Sequence, residues 1–197
     1  MPIWIIGILA YLGEKIDLFS IGFFIASNIR LPYVKRISLS DTQLTELASK
    51  LQHGDLIFGR REWFAKNLIV PGEFKHVGIW DARRQLVLEF QNDGYEENSL
   101  GTFVARYTRV GVGRPTFRED YAVRFVDKMR TFSDKEYDAR FTQNTHQMYC
   151  SESVAHADED NVLRYGTTII LFGYAAVYVP NELLNLPTVK TILKIDS

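Results

Sequence analysis

The chain has 197 residues, 46% of them hydrophobic, so its length and composition predict a single domain with a substantial core. Its formal net charge is −1, and the charges are mixed along the chain without a basic patch or an arginine-rich helix, which argues against binding to nucleic acid. It has one cysteine, Cys150, which excludes an intramolecular disulfide framework and any zinc site built from several cysteines; a free thiol fits a reducing compartment without proving one.

Residues 3–25 are strongly apolar, and three interpretations compete. A transmembrane helix has a suitable length, but Glu14, Lys15 and Asp17 lie in mid-span, where each charge costs roughly 2.5–3.5 kcal/mol. A signal peptide begins with positive charge, and residues 1–13 have none. We favour two short helices or one bent helix that contacts the core, a partner protein or a membrane surface. The sequence therefore leaves two locations open, the cytoplasm and a membrane surface.

The chain divides into two parts. Residues 1–39 are expected to be the apolar segment and a linker, and residues 40–197 the folded domain. Ser40 and Gln43 have the spacing of a helix-capping box. The apolar residues after them recur at helical spacing, so we expect a helix that ends before Gly54.

The next elements are predicted to be strands. Residues 55–58 form a short buried run, and residues 60–71 have no clear preference but could be a short helix over the site. Residues 76–80 and 86–90 are apolar and β-rich. The four residues between them, 81–84, predict a hairpin, since four-residue loops are common there.

The rest of the chain mixes helices and strands. Residues 102–112 predict a strand region, residues 121–129 a helix and residues 150–157 another helix. Residues 177–179 predict a last strand, and a helix is expected to start at Pro180. The mixture predicts an α+β fold.

Cys150 and His76 are a candidate thiol nucleophile and a candidate imidazole base, far apart in sequence as the parts of a Cys–His site usually are. A hairpin with loop 81–84 pairs residue 76 with residue 89. His76 and Glu89 then face the same side with their Cβ atoms about 4.5–5.5 Å apart. Glu89 could hold one ring nitrogen and leave the other for the thiol. A one-residue slip would send Glu89 to the opposite face.

Cys150 is predicted to lie at a helix N-terminus, because residues 145–149 before it show no helical pattern. The helix dipole and the free N–H groups favour a thiolate there. The same N–H groups could hold an oxyanion during acyl transfer.

A set of short strings occurs in one order: Gly54-Asp55-Leu56-Ile57-Phe58, His76-Val77-Gly78-Ile79-Trp80, Leu88-Glu89-Phe90, Tyr137-Asp138-Ala139-Arg140-Phe141 and Tyr149-Cys150-Ser151-Glu152. This set resembles the circularly permuted NlpC/P60 group of papain-like thiol hydrolases, of the YiiX/YaeF-like kind. In most papain-like enzymes the cysteine precedes the histidine, whereas in the permuted group the histidine and its polar partner come first, as here. The resemblance covers residues 52–190 and not residues 1–39.

The resemblance implies a papain-like α+β domain, in which an antiparallel sheet packs against the helix that begins at the cysteine. It implies Cys150 as nucleophile, His76 as base and Glu89 as the acid that orients the base. We expect no cofactor and no metal. The sequence departs from the family pattern at Ser153, where leucine is common, and residues 95–118 match nothing in it.

Three functions follow from these patterns. The first is a thiol hydrolase that cleaves an amide bond. The second is a lipid acyl hydrolase or acyltransferase of the lecithin–retinol acyltransferase type, which the apolar residues 3–25 motivate. The third is a non-catalytic protein that binds a membrane or a partner. In that case Cys150 is a buried packing residue, His76 a core histidine and Glu89 an exposed side chain.

The other histidines lack the close spacing with carboxylates that metal sites show. His53 follows a helix end and could interact with its dipole. His146 is expected in a surface loop. His156 and Asp160 are four residues apart and are expected to be polar groups at a helix end.

Overall fold

The computed structural model describes residues 36–61, 72–138, 146–170 and 175–196. The predictions for residues 3–25 and 62–71 lie outside these ranges. Within the ranges no helix combines the length and the apolar character needed to cross a bilayer.

The described ranges contain the helices α1 (Asp41–Lys50), α2 (Leu100–Val104), α3 (Glu119–Arg130), α4 (Cys150–Ala157) and α5 (Pro180–Leu184). They also contain the strands β1 (Leu56–Arg60), β2 (His76–Asp81), β3 (Leu86–Gln91), β4 (Gly94–Ser99), β5 (Arg109–Pro115), β6 (Glu136–Tyr137), β7 (Gln147–Met148), β8 (Thr168–Ile170), β9 (Ala175–Val177) and β10 (Val189–Asp196).

Six strands form one antiparallel sheet in the order β10-β5-β1-β2-β3-β4. Two small pairs lie outside it: β6 with β7, which are parallel, and β8 with β9, which are antiparallel. Helix α4 contacts β2, β3 and α3. The expected α+β fold is confirmed, with the helix that begins at Cys150 packed on the sheet.

The sheet separates two apolar clusters, because successive side chains of a strand point to opposite faces. One cluster buries alternate residues of β1–β3 against α3 and α4, among them Leu56, Phe58, Ile79, Phe90 and Phe125. The other packs the opposite faces against α1 and α2, among them Ile57, Trp80, Val87, Phe103 and Val112. Strand β1 is buried on both faces, which explains its continuous apolar run.

The capping box of α1 is confirmed. The backbone N–H of Gln43 donates to Ser40 Oγ (3.3 Å), and the backbone N–H of Ser40 donates to Gln43 Oε1 (2.9 Å). These bonds satisfy donors that a helix N-terminus otherwise leaves free.

The β2–β3 hairpin has the predicted strands but a different register. Gly78 pairs with Glu89 and Asp81 with Leu86, which is two residues away from the predicted pairing of His76 with Glu89. A shift of two residues keeps every side chain on its predicted face. His76 and Glu89 therefore remain on one face, as a diagonal pair.

The cause of the shift is the side chain of Asp81. Asp81 Oδ1 accepts hydrogen bonds from the backbone N–H groups of Arg83 (2.8 Å) and Arg84 (3.3 Å), so Asp81 ends the strand and starts the turn. Gln85 takes a positive φ of 59° to close the turn. The loop is thus residues 82–85, not 81–84.

Two other predictions are wrong in part. The strand expected over residues 102–112 begins at Arg109, and a helix, α2, precedes it. The strand predicted at residues 177–179 is β9, which ends at Val177 and is followed by β10. The helices expected from Tyr121, Cys150 and Pro180 are confirmed.

Candidate active site

His76 is the first residue of β2, and Glu89 lies on the neighbouring strand β3. His76 Nε2 is 2.7 Å from Glu89 Oε2, and the Glu89 side chain is fully buried. Glu89 does not lie directly opposite His76, but its side chain is long enough to reach the imidazole ring from the diagonal position. Since Glu89 occupies Nε2, Nδ1 is the ring nitrogen left for another group.

Cys150 is the first residue of α4, as predicted, and its side chain is buried. Tyr149 before it has an extended backbone and lies between the end of β7 and the helix. Cys150 therefore lies at the positive end of the helix dipole, beside N–H groups that have no partner within the helix.

The structure brings Cys150 and His76 together, close enough for the charge and hydrogen bonding of the thiol to raise the pKa of His76. Cys150 belongs to the apolar cluster that includes α3 and α4. His76 shares its face of β2 with Trp80, which belongs to the cluster on the other face of the sheet, with α1 and α2. The site thus lies at the end of the sheet where β2 begins, and residues from both faces of the sheet reach it there.

The pKa values of His76 and Glu89 move apart. Burial lowers the pKa of His76, but the nearby Cys150 sulfur and the Glu89 carboxylate outweigh it and raise that pKa above its usual value. Burial raises the pKa of Glu89, but the hydrogen bond and charge of His76 and the charge of Arg106 outweigh it and lower that pKa. The geometry favours a charged imidazolium beside a charged carboxylate.

Glu89 accepts hydrogen bonds at both oxygens. Oε2 accepts from His76 Nε2 and from Gln91 Nε2 (2.6 Å), and Oε1 accepts from Asn98 Nδ2 (3.0 Å) and from Arg106 Nη2. Gln91, Asn98 and Arg106 were not predicted from the sequence. For Gln91 a signal existed, because it lies two residues after Glu89 and so shares its face of the strand.

Aromatic rings form one wall of the site. The His76 ring stacks on Tyr107 with centroids 5.8 Å apart and an interplanar angle of 19°, and it contacts Phe103 at 5.9 Å. Burial raises the pKa of Tyr107, as it raises the pKa of Tyr137, which lies near Cys150. Both tyrosines therefore stay neutral and act as apolar walls with one polar tip.

The N-terminus of α4 is tied to the segment that follows β9. Tyr149 Oη accepts from the backbone N–H of Tyr178 (2.9 Å), and Ser151 Oγ donates to the carbonyl of Tyr178 (2.7 Å). Glu152 Oε2 accepts from the backbone N–H of Tyr149 (3.2 Å). These bonds fix the backbone on both sides of Cys150.

The remaining histidines do not join this site. His146 is exposed as predicted, and so is His156, which lies 3.8 Å from Glu152 Oε1. His53 is largely buried, with Nδ1 3.3 Å from Asp81 Oδ1. It lines a cavity of about 500 Å³ beyond the other end of β2.

A comparison with protein families identifies the chain. The family described as "Permuted papain-like amidase enzyme, YaeF/YiiX, C92 family" matches residues 50–192, well over half of the chain. The chain belongs to this family. It is accordingly a cysteine hydrolase in kind, and the resemblance predicted from the ordered strings is confirmed. No curated protein sequence matches the chain.

A solved structure supports the same fold. The structure described as that of the metalloprotein YiiX from Escherichia coli O157:H7 is similar with a TM-score of 0.62 and 18% sequence identity. The match covers 75% of this chain and 99% of that chain. At this identity the likeness concerns the fold.

The description of that neighbour as a metalloprotein has no counterpart in the described part of this chain. Within residues 36–61, 72–138, 146–170 and 175–196, no three or more His, Cys, Asp or Glu side chains come together as metal ligands. Glu89 also has its oxygens occupied by four nitrogen donors. These residues therefore do not fit a metal at the candidate site.

Proposed function

We propose that the chain is a thiol hydrolase that cleaves an amide bond, with Cys150 as nucleophile, His76 as base and Glu89 as the group that orients His76. One observation carries the proposal. The fully buried Glu89 holds Nε2 of His76, and the same histidine interacts with the thiol at a helix N-terminus. A buried carboxylate, an imidazole and a thiol in series are the parts that nucleophilic catalysis needs.

The reaction follows from these positions. His76 takes the proton of Cys150, and the thiolate attacks the carbonyl carbon of the substrate. The oxyanion that forms accepts hydrogen bonds from N–H groups at the start of α4. When the carbon–nitrogen bond breaks, His76 donates its proton to the departing amine and a thioester remains on Cys150.

Water completes the cycle. His76 takes a proton from a water molecule, whose oxygen attacks the thioester carbon. The carbon–sulfur bond then breaks, the product leaves as a carboxylic acid, and the proton taken from water remains on His76 beside the Cys150 thiolate. Throughout, Glu89 keeps the imidazole in one orientation and stabilises its charged form.

An amide substrate is favoured over the two alternatives. The family is one of amidases. The lipid-ester alternative was motivated by residues 3–25, which lie outside the described ranges. A non-catalytic protein is disfavoured because Glu89 is not an exposed side chain but is fully buried against His76.

The test is hydrolysis of a panel of N-acyl aminomethylcoumarin amides by wild type, Cys150→Ala and His76→Ala, with exposed His156→Ala as the matched control. We expect turnover in wild type and His156→Ala only. Acid quenching during turnover is expected to leave an added acyl mass on the peptide that contains Cys150. Undiminished turnover by Cys150→Ala would overturn the proposal.

A further inference from the structure

Glu89 is held in its buried position by a cation that lies outside the Cys150–His76–Glu89 series. Arg106 follows α2, and its Nη2 donates to Glu89 Oε1, the oxygen that does not face His76. The Arg106 side chain is 20% exposed, whereas Glu89 is fully buried. The carboxylate thus lies between two cationic partners, one on each oxygen.

Other contacts fix Arg106. Its Nη1 is 3.7 Å from Glu96 Oε2, and its guanidinium carbon is 5.6 Å from the centroid of the Phe103 ring. Its carbonyl oxygen accepts from Arg61 Nε (3.1 Å). The side chain is therefore positioned from β4 and α2, and its backbone from the residue that follows β1.

We propose that Arg106 is a positioning residue that keeps Glu89 ionised and aligned with His76, and that its charge sets the pH range in which Cys150 and His76 exist as an ion pair. The inference rests on the proposed function, since it concerns the same site. Without Arg106, the thiolate, imidazolium and carboxylate together carry a net charge of −1 in a buried place. With Arg106 the four groups are neutral as a set.

The sign of the effect follows from this charge balance. Removal of a nearby positive charge makes every neighbouring group bind its proton more tightly. The proton that leaves Cys150 to form the ion pair and the proton that later leaves His76 should both dissociate at higher pH. Loss of the Arg106 charge is expected to move both transitions upward by about 0.5–1 pH unit.

The other charged or titratable groups around the site in the described chain include two buried carboxylic acids, Asp138 near Tyr137 and Glu152 in the first turn of α4. Burial raises the pKa values of Tyr107, Tyr137, Tyr149 and Tyr165, so these phenols stay neutral in the working range. Arg61 lies over the Tyr107 ring at 5.3 Å and keeps its charge at any working pH. Glu96 is one-third exposed and acts on the site through Arg106.

The test measures the rate at which iodoacetamide alkylates Cys150 as a function of pH, which needs no substrate. Arg106→Gln is expected to move both inflections to higher pH, whereas Arg106→Lys keeps the charge and the wild-type inflections. Arg130→Gln is the matched control, since Arg130 pairs with the buried Asp81 at the other end of the same hairpin. Both glutamine variants should lower the melting temperature, but only Arg106→Gln should shift the profile.

The outcomes separate the two proposals. If wild type already labels as an ordinary thiol and His76→Ala changes nothing, the proposed function fails. If His76→Ala abolishes labelling at low pH but Arg106→Gln keeps the wild-type inflections, only the role of Arg106 is overturned. If Arg106→Gln does not fold, Glu96→Gln provides the test, because removal of that charge is expected to shift the inflections downward. Unchanged inflections in that variant would overturn the inference.

Discussion

At the scale of single residues, the site depends on one buried carboxylate that contacts His76 through one oxygen and Arg106 through the other. Glu89 stabilises the charged form of His76 through Oε2 and is itself stabilised by Arg106 through Oε1. Glu89 lies beside His76 and Arg106 lies beside Glu89, so removal of these opposite charges should shift the titration of His76 in opposite directions. Loss of the Arg106 charge should raise the pKa of His76, and loss of the Glu89 charge should lower it.

Glu89→Gln removes the negative charge and keeps the shape of the side chain. The glutamate raises the pKa of His76, so its loss lowers that pKa, and the upper inflection of the alkylation profile should move to lower pH. Catalytic turnover should fall by at least about tenfold, because His76 is then a poorer base. An upper inflection that moves upward would contradict the role of Glu89. The turnover of exposed His156→Ala provides the reference.

At the scale of elements, the site depends on close packing between β1 and the residues after α2. Gly59 pairs with His76 in the β1–β2 register. A Cβ atom at Gly59 would lie 2.6 Å from the ring of Tyr107, which stacks on His76. There is no space for a methyl group, since real Cβ atoms essentially never approach so closely.

Gly59→Ala is therefore expected to displace Tyr107 and with it the His76 ring. Overpacking of this kind costs about 1–3 kcal/mol in the free energy of unfolding. Urea denaturation should show this loss, and the alkylation of Cys150 at low pH should slow. Gly166→Ala is the control, because a Cβ there meets nothing within 4 Å. Equal stability of the two variants would show that the β1–Tyr107 contact does not constrain the site.

At the scale of the whole molecule, the buried carboxylate links stability to pH. The folded state lowers the pKa of Glu89, so its stabilising contribution is complete above the unfolded value of about 4.3. The contribution is lost as the pH falls through the lower folded value. Wild type should therefore lose its stability advantage over Glu89→Gln as the pH is lowered below about 4.3.

Urea unfolding of both proteins across this range tests the link. Placing an amide among four donors costs the variant the same free energy at every pH. This cost cancels, because the test uses only how the stability difference between the two proteins changes with pH. An advantage that stays constant or grows toward low pH would contradict an ionised Glu89 in the folded state.

Local patterns in the sequence predicted much of this fold. The capping box at Ser40, the alternation in β2 and β3 and the helical spacing after Tyr121 depend on neighbouring residues alone. The order of the His76, Glu89 and Cys150 strings predicted the family. The face shared by His76 and Glu89 was also predictable, because side-chain parity survives a shift of two residues.

Other features were not evident from such local patterns. The turn after Asp81 was misplaced because the carboxylate of a strand residue closes it. Helix α2 has five residues, too few for a periodic pattern. Strand β10 is half-exposed and mixed in composition. Arg106 and Asn98 reach Glu89 from separate elements, so no spacing along the chain indicates that they meet.

The pH dependence of Cys150 alkylation by iodoacetamide, measured in wild type and in His76→Ala, tests whether Cys150 and His76 form an activated pair. The lone cysteine makes the signal unambiguous. We expect labelling that persists well below the ordinary thiol pKa of about 8.5 in wild type and disappears in His76→Ala. Labelling that follows an ordinary thiol in both proteins, or a native Cys150 that reacts only after denaturation, would contradict it.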